Sequence, residues 1–267
     1  DAELTAAAAN LEISDYSYDL DQYVSGDEAN EIISAAAVNL ENPDAELTEF
    51  VSAYPSIEFQ GKSIFSLLAY LEEEGDNNYS EETLSVVATA LFGAALPTNF
   101  SVLERHISKE LPAYSKQGYE AKVSHEENMD FVLSNENDTP YTFELSYEAN
   151  RLSVVLRGSP FLYRYEITAE DERVFEPKTV VQFDNSVPSG SMSVQKAGKN
   201  GQMVKLYRVI YDELGFLIGK ELIADDFYAP IHRIVYQGLV VPPVTEPDSD
   251  TGEEVPEEEE ADEGSEE

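Results

Sequence analysis

The chain has 267 residues, 42% of them hydrophobic, which is enough for one large domain or two modest ones around a buried core. Sixteen basic residues stand against fifty-four acidic ones, a formal net charge of −38, and such a surface repels nucleic acid and anionic lipid. With no cysteine there is no disulfide framework, iron–sulfur cluster or thiolate zinc site.

Residues 1–26 are acidic and tyrosine-rich, with one alanine run, and read as a lead-in. No apolar run approaches the roughly 20 residues of a membrane span, and no signal peptide opens the chain. Asp1 in first place is expected of a mature or trimmed ectodomain, with any anchor upstream removed. Asp27–Leu40 predicts a helix, capped by Asp27, with Ile32, Ile33, Ala36, Ala37 and Leu40 on one apolar stripe. Ser63–Glu74 predicts a second helix ending at Gly75. Ser80–Leu96 predicts a third: Ser80 caps it, Glu81 and Glu82 suit its positive N-terminus, and Pro97 stops it.

After Pro97 the periodicity changes to that of strands. Tyr119–His125, Met129–Leu133, Tyr141–Tyr147 and Leu152–Arg157 fit short strands, with Glu148, Ala149 and Asn150 as the turn between the last two. Leu162–Thr168, Lys178–Phe183, Met203–Tyr211, Phe216–Ile223 and Ile231–Tyr236 continue the series. Helices followed by strands make an α+β order. From Thr245 to Glu267 the chain carries thirteen acids and no Lys or Arg; without them the body still has a net charge of −25. This tail has almost no apolar surface to bury and is expected to be disordered. Asp248-x-Asp250-x-Gly252 lacks the ligand spacing of a calcium-binding EF-hand loop.

Between Val187 and Gly238 glycines fall at 190, 198, 201, 215, 219 and 238, separating β-branched and aromatic runs. The order V-x-K-x-G-x-x-G, then Y-x-V, then G, then I-V-Y-x-G resembles the five-glycine, or G5, cell-surface domain. That resemblance implies a single-layer β module that is wall-associated or adhesive and takes N-acetylglucosamine-containing polymers. Tyr207, Tyr211, Phe216, Tyr228 and Tyr236 are its candidate sugar-stacking residues. Lys199 and Lys205, with Lys196 and Arg208, are a candidate basic patch in a chain short of cations. Gly190, Gly198, Gly201, Gly215 and Gly238 are its structural turns.

Upstream, FQGKSIFSLL at 59–68, SVVATALFGAAL at 85–96, ERHISKELPAYSKQGYEAKVS at 104–124 and MDFVLSNENDTPYTFELSYEANRLSVVLRG at 129–158 resemble, in order, segments of the VanW-like domain. The departures fall at the chemistry. Ser85 stands at that family's cysteine, Val86 at its glutamine, and Ser108 at the second histidine after Glu104-Arg105-His106. A cysteine at a helix N-terminus with a later histidine makes a thiol nucleophile, whereas a serine with no base beside it does not. His106 with His125 and a carboxylate is a zinc candidate, but no H-x-x-x-H spacing supports it. His232 reads as an edge residue. Gly61-Lys62-Ser63 is no phosphate loop, because Ser56 occupies the place of the required earlier glycine.

The organisation expected is a lead-in at 1–26, a VanW-like α+β domain at 27–160, a single-layer antiparallel β module at 161–241 and a disordered acidic tail at 242–267. The expected function is non-catalytic binding of peptidoglycan or a related glycan in the envelope of a Gram-positive bacterium, with no cofactor and no metal. The alternatives are a wall-modifying transferase or hydrolase using Ser85 and His106, and a homotypic adhesion module that self-associates. Truncation after Val241 is expected to leave the melting temperature unchanged in high salt and to raise it slightly at low salt. The deleted charges repel an acidic body only while the Debye length exceeds about 8 Å, and differential scanning calorimetry at two ionic strengths checks this.

Overall fold

The computed structural model describes residues 30–75 and 79–239. The lead-in, the cap at Asp27 and the acidic tail lie outside the described residues.

Four antiparallel strands form the first sheet, in the order β1 (Glu31–Asn39), β7 (Arg151–Gly158), β6 (Tyr141–Glu148), β2 (Ser56–Phe59). β6 and β7 are joined by the foreseen tight turn, in which Ala149 and Asn150 take φ values of 49° and 62°. That pair of left-handed residues matches the right-handed twist of the strands it links. A second sheet, β3 (Ser63–Ser66), β5 (Val132–Asn135), β4 (Ser101–Glu104), packs beside it with helices α1 (Ala45–Ala53) and α2 (Leu67–Glu73). Phe59, Phe65, Phe100, Phe131 and Phe143 are all buried in this core.

The predicted helix at Ser80–Leu96 is present as α3 (Glu81–Ala95), with Ser80 Oγ accepting from the Thr83 amide at 3.3 Å. Its thirteen residues from Thr83 to Ala95 are all buried. A helix apolar on every side belongs inside a core, and α3 lies across β1 and β7. Glu46 of α1 reaches its N-terminus, accepting from the Ser80 amide at 3.1 Å and from the hydroxyls of Ser80 and Thr83. Partial burial opposes ionisation of Glu46, but these bonds outweigh it and hold the carboxyl below its ordinary value.

Three expectations are corrected. Asp27–Leu40 is not a helix in its described part: residues 31–39 are strand β1, paired along its length with β7. Its alanines fit the helical stripe, yet they serve a strand that must be thin. A Cβ added to Gly93 of α3 would stand 2.8 Å from the Ala36 Cβ, so small residues on both sides set the helix-to-sheet distance. Tertiary packing overrides a weak local preference here. Ser63–Glu74 divides into β3 and α2, with Ser66 as the cap of α2, accepting from the Ala69 amide at 3.0 Å. Tyr119–His125 is extended but joins no sheet; it makes only isolated bridges, His106 to Lys122 and Ser124 to Met129.

The β module holds two three-stranded sheets. One is β12 (Leu217–Tyr228), β11 (Gly201–Tyr211), β8 (Arg164–Phe175), all antiparallel. The other is β10 (Met192–Lys196), β13 (Arg233–Gln237), β9 (Thr179–Phe183), in which β13 and β9 run parallel. The glycine-rich stretch from Val187 is therefore not the whole unit, because β8 and β9 supply an edge to each sheet. Val204, Leu206 and Ala224 from the first of these sheets belong to the same buried cluster as α3 and β7.

Gly93→Leu is expected to destabilise the protein by about 1–3 kcal/mol, the usual cost of overpacking a close contact, as read by chemical denaturation. Glu46→Gln is expected to lower the melting temperature near neutral pH and to have no effect in acid. A carboxyl held below its ordinary value of 4.5 contributes stability above that pH and loses it as pH falls through the folded-state value. Thermal melts across the acid range check the convergence.

Candidate functional site

Glu81, Ser85 and Thr89 recur every fourth residue, so they share one face of α3. That face meets the extended segment 120–124. Ser85 Oγ accepts from the Val123 amide at 3.0 Å and donates to the Glu81 carbonyl at 2.6 Å. Thr89 Oγ1 accepts from the Ala121 amide at 3.0 Å, and Ser124 Oγ donates to the Glu81 carboxylate. The helix thus provides the hydrogen bonds a neighbouring strand would otherwise provide, which is why Tyr119–His125 looks like a strand and has no sheet. The Tyr114 hydroxyl also bonds Ser85; burial, then the charges of Glu120 and Glu82, push its pKa well above the ordinary tyrosine range. Burial likewise pushes Tyr119 up to about 12.

No hydrogen bond joins Ser85 to His106. The His106 Nε2 lies 2.9 Å from Glu104 Oε1, on a half-exposed edge. Glu104 also accepts from the Asp130 amide at 3.0 Å; the bond to His106, and then this one, hold its carboxyl below the ordinary value. His125 lies exposed in a turn, and His232 Nδ1 faces the Lys178 amide at 3.3 Å. Among the described residues no three His, Cys, Asp or Glu side chains gather as a metal site would require.

The residue between Glu104 and His106 has a role that sequence reasoning missed. The Arg105 guanidinium bonds Asp226 of β12, with both side chains buried, and also the Glu120 carbonyl. It lies 4.9 Å from the centre of the Phe92 ring on α3. Glu120, fully buried, accepts from the Ser108 amide at 3.0 Å and from the Tyr228 hydroxyl at 2.7 Å. Burial, then the bond and charge of Glu120, raise the Tyr228 pKa far beyond the ordinary range. Arg208 of β11 is also buried; its Nε donates to the Leu96 carbonyl at 3.0 Å and its Nη1 to the Phe100 carbonyl at 2.9 Å, at the C-terminal end of α3. These three contacts fasten the β module to the first domain. Their partners are more than a hundred residues apart in sequence, so no local pattern announces them.

The structure places the candidate glycan residues and the expected basic patch as follows. Tyr228 is a joint residue with its ring and hydroxyl enclosed, so it offers no face to a sugar. Arg208 leaves the expected basic patch for the interior. Lys199 pairs with Glu110 at 2.9 Å and Lys205 with Asp171 at 2.9 Å. Tyr207 is overlaid by the Lys220 ammonium at 4.1 Å and Tyr211 by the Arg164 guanidinium at 4.6 Å. Tyr236 is half-buried in β13, whereas Phe216 stands exposed after the β11–β12 turn. Of the turn glycines, Gly190 and Gly215 take positive φ, 76° and 84°. Gly198, Gly201 and Gly238 matter for proximity: any Cβ at Gly201 would fall 2.5 Å from the Pro230 nitrogen.

The whole has two parts, an α+β body carrying a β extension on a buried polar joint. Comparison with known families agrees with that division. The model for VanW like protein matches residues 82–157 and the model for the G5 domain matches residues 166–239. The chain carries a VanW-like domain followed by a G5 domain. It is similar to an IgA1 protease G5 domain structure at 26% identity, covering 29% of this chain and 88% of that one, with a TM-score of 0.25. It is also similar to the crystal structure of HP0197-G5 at 21% identity, covering 28% of this chain and 97% of that one, with a TM-score of 0.20. No curated protein matches. No helix of the described residues is long and apolar enough to cross a membrane.

Arg105→Met alone is expected to cost about 3–5 kcal/mol, because it strands the buried Asp226 carboxylate. Pairing it with Asp226→Leu is expected to recover much of that loss, and a double-mutant cycle by urea denaturation measures the coupling. Ser85→Ala is expected to cost about 1–3 kcal/mol by leaving the Val123 amide without its acceptor.

Proposed function

We propose that this is a non-catalytic cell-surface protein of a Gram-positive bacterium that binds peptidoglycan or another N-acetylglucosamine-containing glycan. The observation that carries the reading is the exposed apolar strip on the G5 domain. Phe216, Leu217, Leu222 and Phe227 are 66%, 62%, 49% and 51% exposed along the start and length of β12. Apolar surface gathered in this way marks an interaction site. Aromatic rings there suit the flat apolar faces of sugars, with nearby polar groups left for their hydroxyls.

A serine hydrolase reading finds no support in the geometry, because Ser85 spends its hydroxyl on the backbone and His106 spends its ring on Glu104. Homotypic adhesion has one observation in its favour. All five residues of β9 are exposed, and among the described residues its outer edge is unpaired, a template for a second copy.

The whole protein is expected to co-sediment with purified, insoluble cell wall, and Phe216→Ser with Leu217→Ser is expected to reduce the bound fraction about tenfold, the effect of losing roughly 1.4 kcal/mol. Equal recovery of the wild type with and without wall would falsify glycan binding. Concentration-dependent self-association without glycan, seen by analytical ultracentrifugation, would favour the adhesive reading.

A further inference from the structure

The seam between the two domains holds a cleft of about 580 Å³ that neither family region builds alone. One wall is the first half of β1, Glu31–Ala35. The other is the connection Pro160–Tyr165, with the β11–β12 turn, Asp212–Gly215, at one lip, and Gly93 of α3 and Pro97 beyond its end completing the lining. Its size falls in the range of small-ligand sites, about 300–1,000 Å³.

The chemistry of the lining is specific. β1 is the outer strand of its sheet, with β7 as its one neighbour, and its register slips between Ile32 and Ser34. Among the described residues no strand pairs with its other edge, and the backbone of Glu31–Ala35 borders the cleft. Tyr163 and Leu162 stand on the opposite wall, 40% and 65% exposed, and Leu214 at the lip is 81% exposed. The charged side chains are largely spent. Arg164 is paired with Glu166 and lies over Tyr211. Asp212 Oδ1 accepts from the Leu214 and Phe216 amides at 3.0 and 2.8 Å, holding the turn. Arg164 is the one cation among the described lining residues, while Glu31 and Glu213 put negative charge at the mouth. A ligand that fits is neutral, carries amide groups to meet a backbone edge, and has an apolar face to meet a phenol ring.

Resting on the glycan reading above, we propose that this seam cleft is the sugar subsite, selecting neutral N-acetylated sugars. The acetamido amide pairs with the free edge of β1, as an added strand would, and the ring stacks on Tyr163. Glu31 and Glu213 disfavour sugars that carry carboxylates. The G5 strip on β12 then supplies avidity along a polymer, and the seam supplies selectivity.

The test uses the whole protein and calorimetric titration with three oligosaccharides. Chitohexaose is neutral and acetylated, cellohexaose has hydroxyls in place of the acetamido groups, and a hyaluronan hexamer alternates acetamido with carboxylate. The expected result is binding of chitohexaose at least about tenfold tighter than of the other two. Tyr163→Ala and Leu214→Ala, both surface truncations, are each expected to weaken it about tenfold. Phe183→Ala, on a strand that lines no part of the cleft, is expected to leave it unchanged. Hydrogen exchange at the amides of Ile32–Ala35 is expected to slow with chitohexaose bound. Chitohexaose binding that is untouched by the two cleft variants, or that leaves those amides unprotected, overturns the seam assignment and leaves the glycan reading intact. Equal affinity for cellohexaose overturns the acetamido selection. A wild type that binds no sugar and no purified wall removes the glycan reading itself, and the seam proposal with it.

Discussion

A helix buried along thirteen consecutive residues, as α3 is, has to find a partner inside the protein for each polar group it carries. The surroundings of α3 follow from that requirement. Its free N-terminal amides and positive end are met by Ser80 and by the Glu46 carboxylate of another helix. Its hydroxyl stripe is met by the backbone of segment 120–124, which consequently lies in the interior as an extended chain without a sheet. Carbonyls at and beyond its C-terminal end are met by Arg208, which arrives from the second domain. Gly93 lets β1 come close enough to seal one side.

The joint between the domains is an extension of the same arrangement. Arg105, Glu120 and Asp226 are charged groups inside the protein, and a buried pair of this kind adds little net stability over an apolar substitute. What it does impose is register. Arg105 meets one acceptor on β12 and one carbonyl on its own domain, and Tyr228 meets Glu120 two residues further along the same strand. A slip of one residue would turn both side chains away, leaving Arg105 without its carboxylate partner and Glu120 without the Tyr228 hydroxyl. The G5 sheet is thereby fixed in orientation over the VanW-like core, and the seam cleft, walled by both, has a defined shape.

The acidity of the chain shapes its surface in a second way. Nine of its sixteen cations, Lys62, Arg105, Lys122, Arg157, Arg164, Lys199, Lys205, Arg208 and Lys220, each sit in an ion pair. Much of its positive charge is thereby neutralised locally, which leaves a surface of net negative charge.

The sequence by itself determined the parts whose cause is local. The cap at Ser80, the stop at Pro97 and the apolar run between them specify α3, and the left-handed turn at Ala149 and Asn150 specifies the β6–β7 hairpin. The spacing of the glycines and the E-R-H segment are enough to place the two family regions in order. What the tertiary structure decided is the use of residues whose local preference is weak or double. The alanines of β1 fit a helical stripe and became a strand because α3 needs a thin neighbour. Tyr119–His125 has strand periodicity and became the partner of a hydroxyl-bearing helix. Arg105, Arg208 and Tyr228 look like surface residues in the chain and were drawn inward by partners more than a hundred positions away. Whether a side chain faces solvent depends on what packs over it, and that is a property of the assembled layers that no window of sequence contains.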